Sequence, residues 1–355
     1  RIYGTLRFSR MEASRLSISA AVYRENRLVA EGRREWVGVP GDCLAALPEL
    51  RLDEVDLWHF DHPNLYTLAV AVHDDDGISD RIEIAIGFRE IVLDGDRLML
   101  NREAVRLVGV EWMPGSHPDM GMAETPGETF ARLRQIKEAN CVITRFHWQQ
   151  DEALLDWCDR NGLLVQEEIP HWQQPAVPGD ALLPLSLQHA REMILRHFNH
   201  PSIFAWGMAN EIDGQHPDTS AFLEKLKREM RKLDPGRFVN YVSNTLHLDP
   251  AKDAAAAGDI ICWNEYIGTW HEDLDRRATI QGIVAAHPGK PIAVSEFGLC
   301  EPAFSGGDPR RAQILTDNLT EYRMHPEIAC VIFFSLNDYR TQMGEAGEGR
   351  FRQRV

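Results

Sequence analysis

A series of eight short apolar runs between residues 91 and 340 constrains the fold more than any other feature of the chain. The runs cover residues 105–110, 141–144, 163–165, 203–206, 238–242, 260–263, 292–294 and 330–334. They alternate with amphipathic helical patterns, and this alternation indicates βα units and a parallel sheet. Eight such units in about 250 residues predict an α/β fold of the (β/α)8, or TIM-barrel, type. A doubly wound open sheet is the alternative, but no glycine-rich phosphate-binding motif follows the first run.

Signals for helix ends support this division. Asp151 stands where an N-cap is expected, and Gly162 lies just past the end of the same apolar pattern. Pro235 and Gly236 end a later helical pattern. The run Ala254–Ala257 predicts a short helical stretch, whereas the connections after the fifth and sixth strands are less clear.

Residues 1–90 show β-rich runs instead of a helical period. Residues 16–22, 65–72 and 81–86 are strand candidates, and the acidic turn at residues 74–77 predicts a hairpin between the last two. Short strands with polar turns favour a small antiparallel sandwich. We therefore assign residues 1–90 to an all-β sandwich and residues 91–355 to the barrel, which agrees with about two domains for 355 residues.

Composition excludes several classes of protein. The formal net charge of −16 argues against a protein that binds nucleic acid through phosphates. No apolar run approaches the roughly 20 residues that cross a bilayer, so we expect no membrane partner. The six cysteines are far apart, and four of them stand in apolar runs, which favours buried thiols in a reducing compartment.

Polar or charged residues follow every one of the eight apolar runs. They are Glu111, Arg145, Glu168, Asn210, Glu211, Ser243, Asn244, Asn264, Glu265, Glu296, Asn337 and Asp338. The carboxyl ends of barrel strands carry the active site in TIM-barrel enzymes. Carboxylates and amides with aromatic neighbours suit a neutral polyhydroxylated ligand such as a sugar, and nothing in this set requires a metal or another cofactor.

Two of these strand ends carry a family resemblance. Residues 206–211 (WGMANE) resemble the acid/base strand of glycoside hydrolase family 2, and residues 290–298 (KPIAVSEFG) resemble its nucleophile strand. Weaker similarity begins at residues 57–66, in a segment like the family's immunoglobulin-like middle domain, and continues to about residue 340. The resemblance implies a retaining exo-β-glycosidase of the β-galactosidase or β-glucuronidase type.

The resemblance also implies roles for individual residues. Glu296 would be the ionised nucleophile, and Glu211 would be the acid/base that starts protonated. Asn210 would bind the sugar 2-hydroxyl, and Arg145 would pair with Glu296 and lower its pKa. Tyr266 would donate a hydrogen bond to the nucleophile. The other substrate-binding candidates are Asn264 in the same pocket, His147, Trp148, Glu111 and Asp338.

Some residues depart from the family pattern. His147 and Trp148 stand where many relatives have Ser-His-Tyr-Pro after the arginine, and Glu111 stands where β-galactosidases have Asn-Arg-His-Glu. These differences predict a sugar subsite unlike that of the best-known β-galactosidases. Four tryptophans, Trp112, Trp148, Trp172 and Trp270, are candidates for stacking on a sugar, with core packing as the alternative.

Several alternatives stay open. The chain starts at Arg1, and the family's N-terminal jelly-roll domain has no counterpart in it, so we expect a fragment whose C-terminal end is also incomplete. A catalytically impaired carbohydrate-binding remnant, a β-mannosidase-like enzyme and another barrel glycosidase with two glutamates are the alternative functions. A homo-oligomer and a bacterial cytoplasmic or periplasmic location are expectations taken from relatives.

Overall fold

The computed structural model describes residues 2–10, 14–38, 41–75, 77–271, 273–299, 307–340 and 351–352. Within them the chain forms two compact units. One consists of residues 1–89 together with 199–201, and the other consists of residues 90–198 and 202–355. Asp76, in the acidic turn at residues 74–77, and Cys300, one of the six cysteines, lie outside the described residues.

The first unit is all-β, as predicted. Its six strands are β1 (Thr5–Arg10), β2 (Ser14–Arg24), β3 (Arg27–Gly38), β4 (Gly41–Ala46), β5 (Tyr66–Asp74) and β6 (Gly77–Ile86). The larger sheet is antiparallel in the order β3-β2-β5-β6, and β1 pairs with β4. The predicted hairpin joins β5 and β6, with Leu68 opposite Ile84. Alternate residues of β2, such as Ile18 and Val22, are buried against Leu50, Tyr66 and Val70, as expected for a sheet that buries one face.

The second unit begins with a three-stranded antiparallel sheet and continues as a closed parallel barrel. The small sheet consists of β7 (Ile91–Asp94), β8 (Arg97–Leu100) and β9 (Glu103–Val105). The barrel strands are β10 (Leu107–Glu111), β11 (Ile143–Phe146), β12 (Leu164–Glu168), β13 (Ile203–Asn210), β14 (Phe238–Ser243), β15 (Ile261–Asn264), β16 (Ile292–Phe297) and β17 (Ile328–Phe334). Each of the eight apolar runs became one of these strands, and β17 closes the barrel by parallel pairing with β10. The strands are buried along almost their whole length, because helices and loops cover a parallel sheet on its outer face.

Helices connect most of the strands. They are α1 (Pro126–Glu138), α2 (Glu152–Asn161), α3 (Leu183–His197), α4 (Pro217–Leu233), α5 (Arg276–Ala286) and α6 (Gly307–Arg323). The Asp151 side chain caps α2 by accepting from the Ala153 N–H, and Gly162 ends that helix in the left-handed conformation, with φ of 66°. Among the described elements, the connection from β14 to β15 contains only the 3₁₀ helix Ala254–Ala257. This explains why the helical signal is weak there.

The cysteines and the helix lengths can be compared with the predictions from the sequence. Cys141, Cys158, Cys262 and Cys330 are buried in the barrel unit, and burial raises the pKa of the Cys330 thiol to about 12. Among the described residues, no helix is long and apolar enough to cross a membrane. A short antiparallel pair, β18 (Tyr339–Arg340) with β19 (Phe351–Arg352), follows the last barrel strand.

Candidate active site

Arg145, at the end of β11, lies at the centre of the residues gathered at the carboxyl ends of the strands. Its side chain is fully buried, and its guanidinium contacts three carboxylates. Nη1 lies 2.7 Å from Glu296 Oε1 and 3.4 Å from Glu111 Oε2. The other edge makes a two-pronged contact with Glu168, at 2.7 and 2.9 Å. The planar guanidinium therefore fixes side chains from four different strands in one arrangement.

Glu168 can reach Arg145 because the neighbouring strand leaves room for it. Gly207 of β13 lies beside Glu168 of β12. A Cβ added at position 207 would lie 2.1 Å from Glu168 Cγ. Gln166 donates a further hydrogen bond to Glu168, at 2.8 Å. A glycine at position 207 is therefore part of how the barrel positions Arg145.

Glu296, near the end of β16, accepts one hydrogen bond on each carboxyl oxygen. Arg145 donates to Oε1, and the Tyr266 hydroxyl donates to Oε2 at 2.8 Å. Tyr266 and Glu296 are both almost completely buried. The carboxyl group is thus held from two sides in a fixed orientation.

Burial and neighbouring charges act in opposite directions on the pKa of Glu296. Burial raises its pKa above the ordinary value; Arg145 and His147 act in the opposite direction, and the carboxylates of Glu211 and Glu111 add to the increase. Burial by itself would lower the pKa of Arg145, but Glu168, Glu111 and Glu296 raise it well above the usual range. Arg145 pairs with Glu296 and acts to lower its pKa, in the predicted direction, but the net change is upward, because burial together with the Glu211 and Glu111 carboxylates outweighs the two cations.

Glu211, directly after β13, is surrounded by N–H donors. Asn264 Nδ2 donates to Oε1 at 2.9 Å, and Trp172 Nε1 and Gln173 Nε2 both donate to Oε2 at 3.1 Å. Asn264 Nδ2 also lies 3.2 Å from Asn210 Oδ1. The backbone of Glu211 adopts φ of 55°, a left-handed conformation that is uncommon for a residue with a side chain.

Glu111 and His147 complete the buried side of the site. His147 Nε2 lies 2.8 Å from Glu111 Oε1 and 3.6 Å from Glu296 Oε1. Burial acts to lower the pKa of His147, but the Glu111 and Glu296 carboxylates together outweigh burial and Arg145, and the net direction is upward. The imidazole ring stacks on Trp148 with a centroid separation of 6.3 Å.

The ligand atoms of Glu111, His147 and Glu296 also lie within 4.8 Å of one another, a spacing that suits a shared cation. Arg145 already supplies positive charge to two of these carboxylates. The expectation that the site needs no metal stays a prediction.

Other strand-end residues have different surroundings. Glu265 is buried, and it faces α6, where Asn318 donates to it at 2.9 Å and the Tyr322 hydroxyl also donates. Asp338 is half-buried in the segment between β17 and β18, and its role in binding stays a prediction. Trp112 is buried and packs edge-on against Phe146, so core packing describes it better than stacking on a sugar.

Two contacts of Glu211 did not follow from the sequence. Trp172 and Gln173, the partners of Glu211, lie in the loop after β12 and several residues beyond the strand end. Trp172 appeared among the tryptophan candidates only as a stacking surface, and its N–H contact with Glu211 was not predicted. The isolated parallel bridge between Trp172 and Asn210 brings this loop to Glu211.

The fold and the site together define a (β/α)8 barrel with two separately held glutamates at the carboxyl ends of β13 and β16. Residues 95–325 match the family model described as the TIM barrel domain of glycosyl hydrolases family 2, and residues 13–89 match a second model for the same family. The chain therefore belongs to glycosyl hydrolase family 2.

Curated relatives carry two activity names. The chain is 31% identical over 253 residues to a β-galactosidase of Thermoanaerobacterium thermosulfurigenes, an alignment that covers 69% of this chain and 32% of the relative. It is 27% identical over 284 residues to the β-glucuronidase of Rattus norvegicus, covering 74% and 42% of the two chains. The chain thus spans less than half the length of these relatives.

Solved structures share the fold. A family 2 β-galacturonidase from Eisenbergiella tayi, crystallised with galacturonate, superposes with a TM-score of 0.84 at 23% identity, over 96% of this chain and 62% of the other. A Bacteroides uniformis β-glucuronidase superposes with a TM-score of 0.87 at 22% identity, over 99% and 45%.

Proposed function

We propose that this chain contains the catalytic site of a retaining exo-β-glycosidase that acts on β-galactosides or β-glucuronides. The observation that carries the proposal is the different environment of the two glutamates. Glu296 is buried and held by Arg145 and Tyr266, whereas Glu211 is half-buried and held by N–H donors at the rim. Glycosidases use two carboxyl groups in different roles, and the retaining mechanism is proposed from the similarity of the two glutamate-bearing strands to glycosyl hydrolase family 2.

In the first step a carboxylate oxygen of Glu296 attacks the anomeric carbon and forms an ester bond to the sugar. The bond from that carbon to the glycosidic oxygen breaks, and the Glu211 proton moves to the departing oxygen. Arg145 and Tyr266 keep the Glu296 carboxylate from rotating, so the attacking oxygen is positioned before the substrate arrives.

In the second step a water molecule attacks the same carbon and gives a proton to Glu211, and the ester bond to Glu296 breaks. Asn210, whose side chain lies against Asn264, is our candidate for binding the 2-hydroxyl. Glu111 and His147 are candidates for binding further hydroxyls, since both lie beside Glu296 at the buried end of the site.

The substrate would be a carbohydrate with a terminal β-linked sugar. The curated relatives are named as β-galactosidases and β-glucuronidases, and this is why we restrict the proposal to these two sugars.

The test combines turnover with covalent trapping. The chain is incubated with p-nitrophenyl β-glycosides of galactose, glucuronic acid, mannose, glucose and galactofuranose, and separately with 2-deoxy-2-fluoro-β-galactosyl and β-glucuronyl fluorides. We expect release of nitrophenol from one or both of the first two glycosides, and a mass increase of one fluorosugar on the peptide that contains Glu296.

Glu296→Gln is expected to abolish both turnover and labelling. Glu229→Gln, which changes a partly exposed glutamate on α4 that pairs with Lys232, serves as the matched control and should leave both intact. Label on a different residue would overturn the nucleophile assignment, and inversion of the anomeric configuration would overturn the retaining mechanism. Absence of turnover on all five glycosides would overturn the activity for this chain.

A further inference from the structure

The loop after β12 forms backbone hydrogen bonds with the end of β13 next to Glu211. The Asn210 N–H donates to the His171 carbonyl at 2.9 Å, and the Gln173 N–H donates to the Asn210 carbonyl at 3.1 Å. Gln173 adopts φ of 56°, a left-handed conformation that is uncommon for a residue with a side chain. Two backbone hydrogen bonds therefore fix residues 171–173 directly beside the proposed acid/base.

This loop saturates one oxygen of Glu211. A carboxylate oxygen offers two acceptor positions, and the side-chain N–H groups of Trp172 and Gln173 take both positions on Oε2. Asn264 takes one position on Oε1. Within the described part of the chain, one acceptor position on Oε1 is left, and it is the place for the proton that Glu211 transfers.

Trp172 combines this contact with exposure. About 45% of its surface is accessible, although its indole nitrogen is bound to Glu211. In a glycosidase the acid/base protonates the oxygen that links the sugar to the leaving group, so the leaving group has to lie next to Glu211. A flat, exposed indole at this position presents an apolar surface to that group.

We propose that Trp172 is a positioning and specificity-determining residue: its N–H holds Glu211 Oε2, and its ring forms the platform on which the leaving group rests. The proposal rests on the proposed function, and it specifies the substrate class further. The preferred substrates carry a leaving group with a broad apolar face, such as an aryl group or a second sugar, and not a small alkyl group.

The first experiment measures binding without turnover. Affinities of phenyl and methyl 1-thio-β-galactoside, and of the corresponding 1-thio-β-glucuronides, are measured by calorimetry, because thioglycosides resist hydrolysis. We expect the wild type to prefer the phenyl compound of at least one sugar. Trp172→Ala should reduce that preference by about threefold to tenfold, as expected for the loss of one stacking contact, while Trp172→Phe should keep it.

The second experiment examines the N–H contact through the pH profile of kcat/KM. An N–H group that donates to a carboxyl oxygen favours the ionised form over the protonated form. In Trp172→Phe the alkaline limb should therefore move to higher pH, with kcat affected more than KM. Gln173→Met, which removes the other donor on Oε2, should move the limb in the same direction. Trp157→Phe, on α2, is the control and should leave the profile unchanged.

The outcomes separate the two proposals. Equal phenyl preference in the wild type and in Trp172→Ala would overturn the platform, and coinciding pH profiles for the wild type and Trp172→Phe would overturn the positioning role. If the wild type hydrolyses no glycoside and yet loses its phenyl preference in Trp172→Ala, the platform stands while the proposed function fails. Thermal unfolding of each variant excludes misfolding as the cause.

Discussion

Arg145 Nη1 and Glu296 Oε1 are 2.7 Å apart, while the opposite edge of the same guanidinium is held by both oxygens of Glu168. The arginine thus connects β11, β12 and β16 through one rigid planar group. All three side chains are almost completely buried, so the contacts are made away from water, where an unpaired charge is costly.

This arrangement predicts that Arg145→Lys loses activity although it keeps the charge. A lysine ammonium cannot bind Glu168 with two prongs and reach Glu296 at the same time. We expect kcat on an aryl glycoside to fall by at least about 100-fold, corresponding to the 2.7 kcal/mol or so of one preorganised contact. Steady-state kinetics and thermal unfolding measure the two effects.

Arg277→Lys is the control for the arginine change, because Arg277 makes a similar two-pronged contact with Glu321 on the exposed surface. It should behave like the wild type. A kcat for Arg145→Lys within threefold of the wild type would contradict the role of the guanidinium.

Much of this site could be anticipated from the sequence. Apolar runs of three to six residues locate the barrel strands, and the rule that chemistry follows such strands directs attention to Arg145, Glu211 and Glu296. The rule depends only on local pattern and chain direction, and both can be read along one sequence.

Three features of the site could not be predicted from the sequence, because they depend on where loops and side chains lie in space and on how many charged groups surround Glu296. Glu265 also follows a strand, but its side chain turns to α6. Trp172 and Gln173 reach Glu211 only because their loop pairs with β13. The pKa of Glu296 is raised by burial and by the nearby Glu211 and Glu111 carboxylates. These are properties of the three-dimensional arrangement.

Tyr266→Phe tests the second contact of Glu296. The variant loses only the hydroxyl that donates to Oε2 at 2.8 Å, and the ring stays packed beside Trp270. We expect kcat to fall by about tenfold to 100-fold, because a hydrogen bond to a charged group contributes about 1.5–3 kcal/mol, with a smaller effect on KM. Tyr23→Phe in β2 is the control, and an unchanged kcat in Tyr266→Phe would contradict the contact's importance.

Gly207→Ala tests how the barrel makes room for Glu168. The added methyl group would lie 2.1 Å from Glu168 Cγ, so Glu168 has to move and Arg145 loses its two-pronged partner. We expect a loss of stability of about 1–3 kcal/mol, typical of overpacking, together with a strong loss of activity. Thermal unfolding and turnover are the measurements.

Gly282→Ala on α5 provides the opposite control, because nothing lies within 4 Å of the new Cβ. It should stabilise the chain by up to about 1 kcal/mol, since alanine favours a helix over glycine. Equal effects at positions 207 and 282 would show that the close approach to Glu168 is unimportant.

The raised pKa of Glu296 predicts how stability changes with pH. Its ordinary value is 4.5, and burial raises it in the folded chain, so between 4.5 and the folded value the native state binds more protons than the unfolded state. The contribution of this group to stability is therefore complete below pH 4.5 and is lost as pH rises through the folded pKa.

Glutamine at this position carries no charge at any pH. We expect Glu296→Gln to gain stability relative to the wild type as pH increases from 4 to 8, and to resemble it near pH 4. Chemical denaturation across this range measures the difference. A difference that is constant with pH, or that shrinks as pH rises, would mean that Glu296 titrates with no upward shift on folding and that Arg145 outweighs burial.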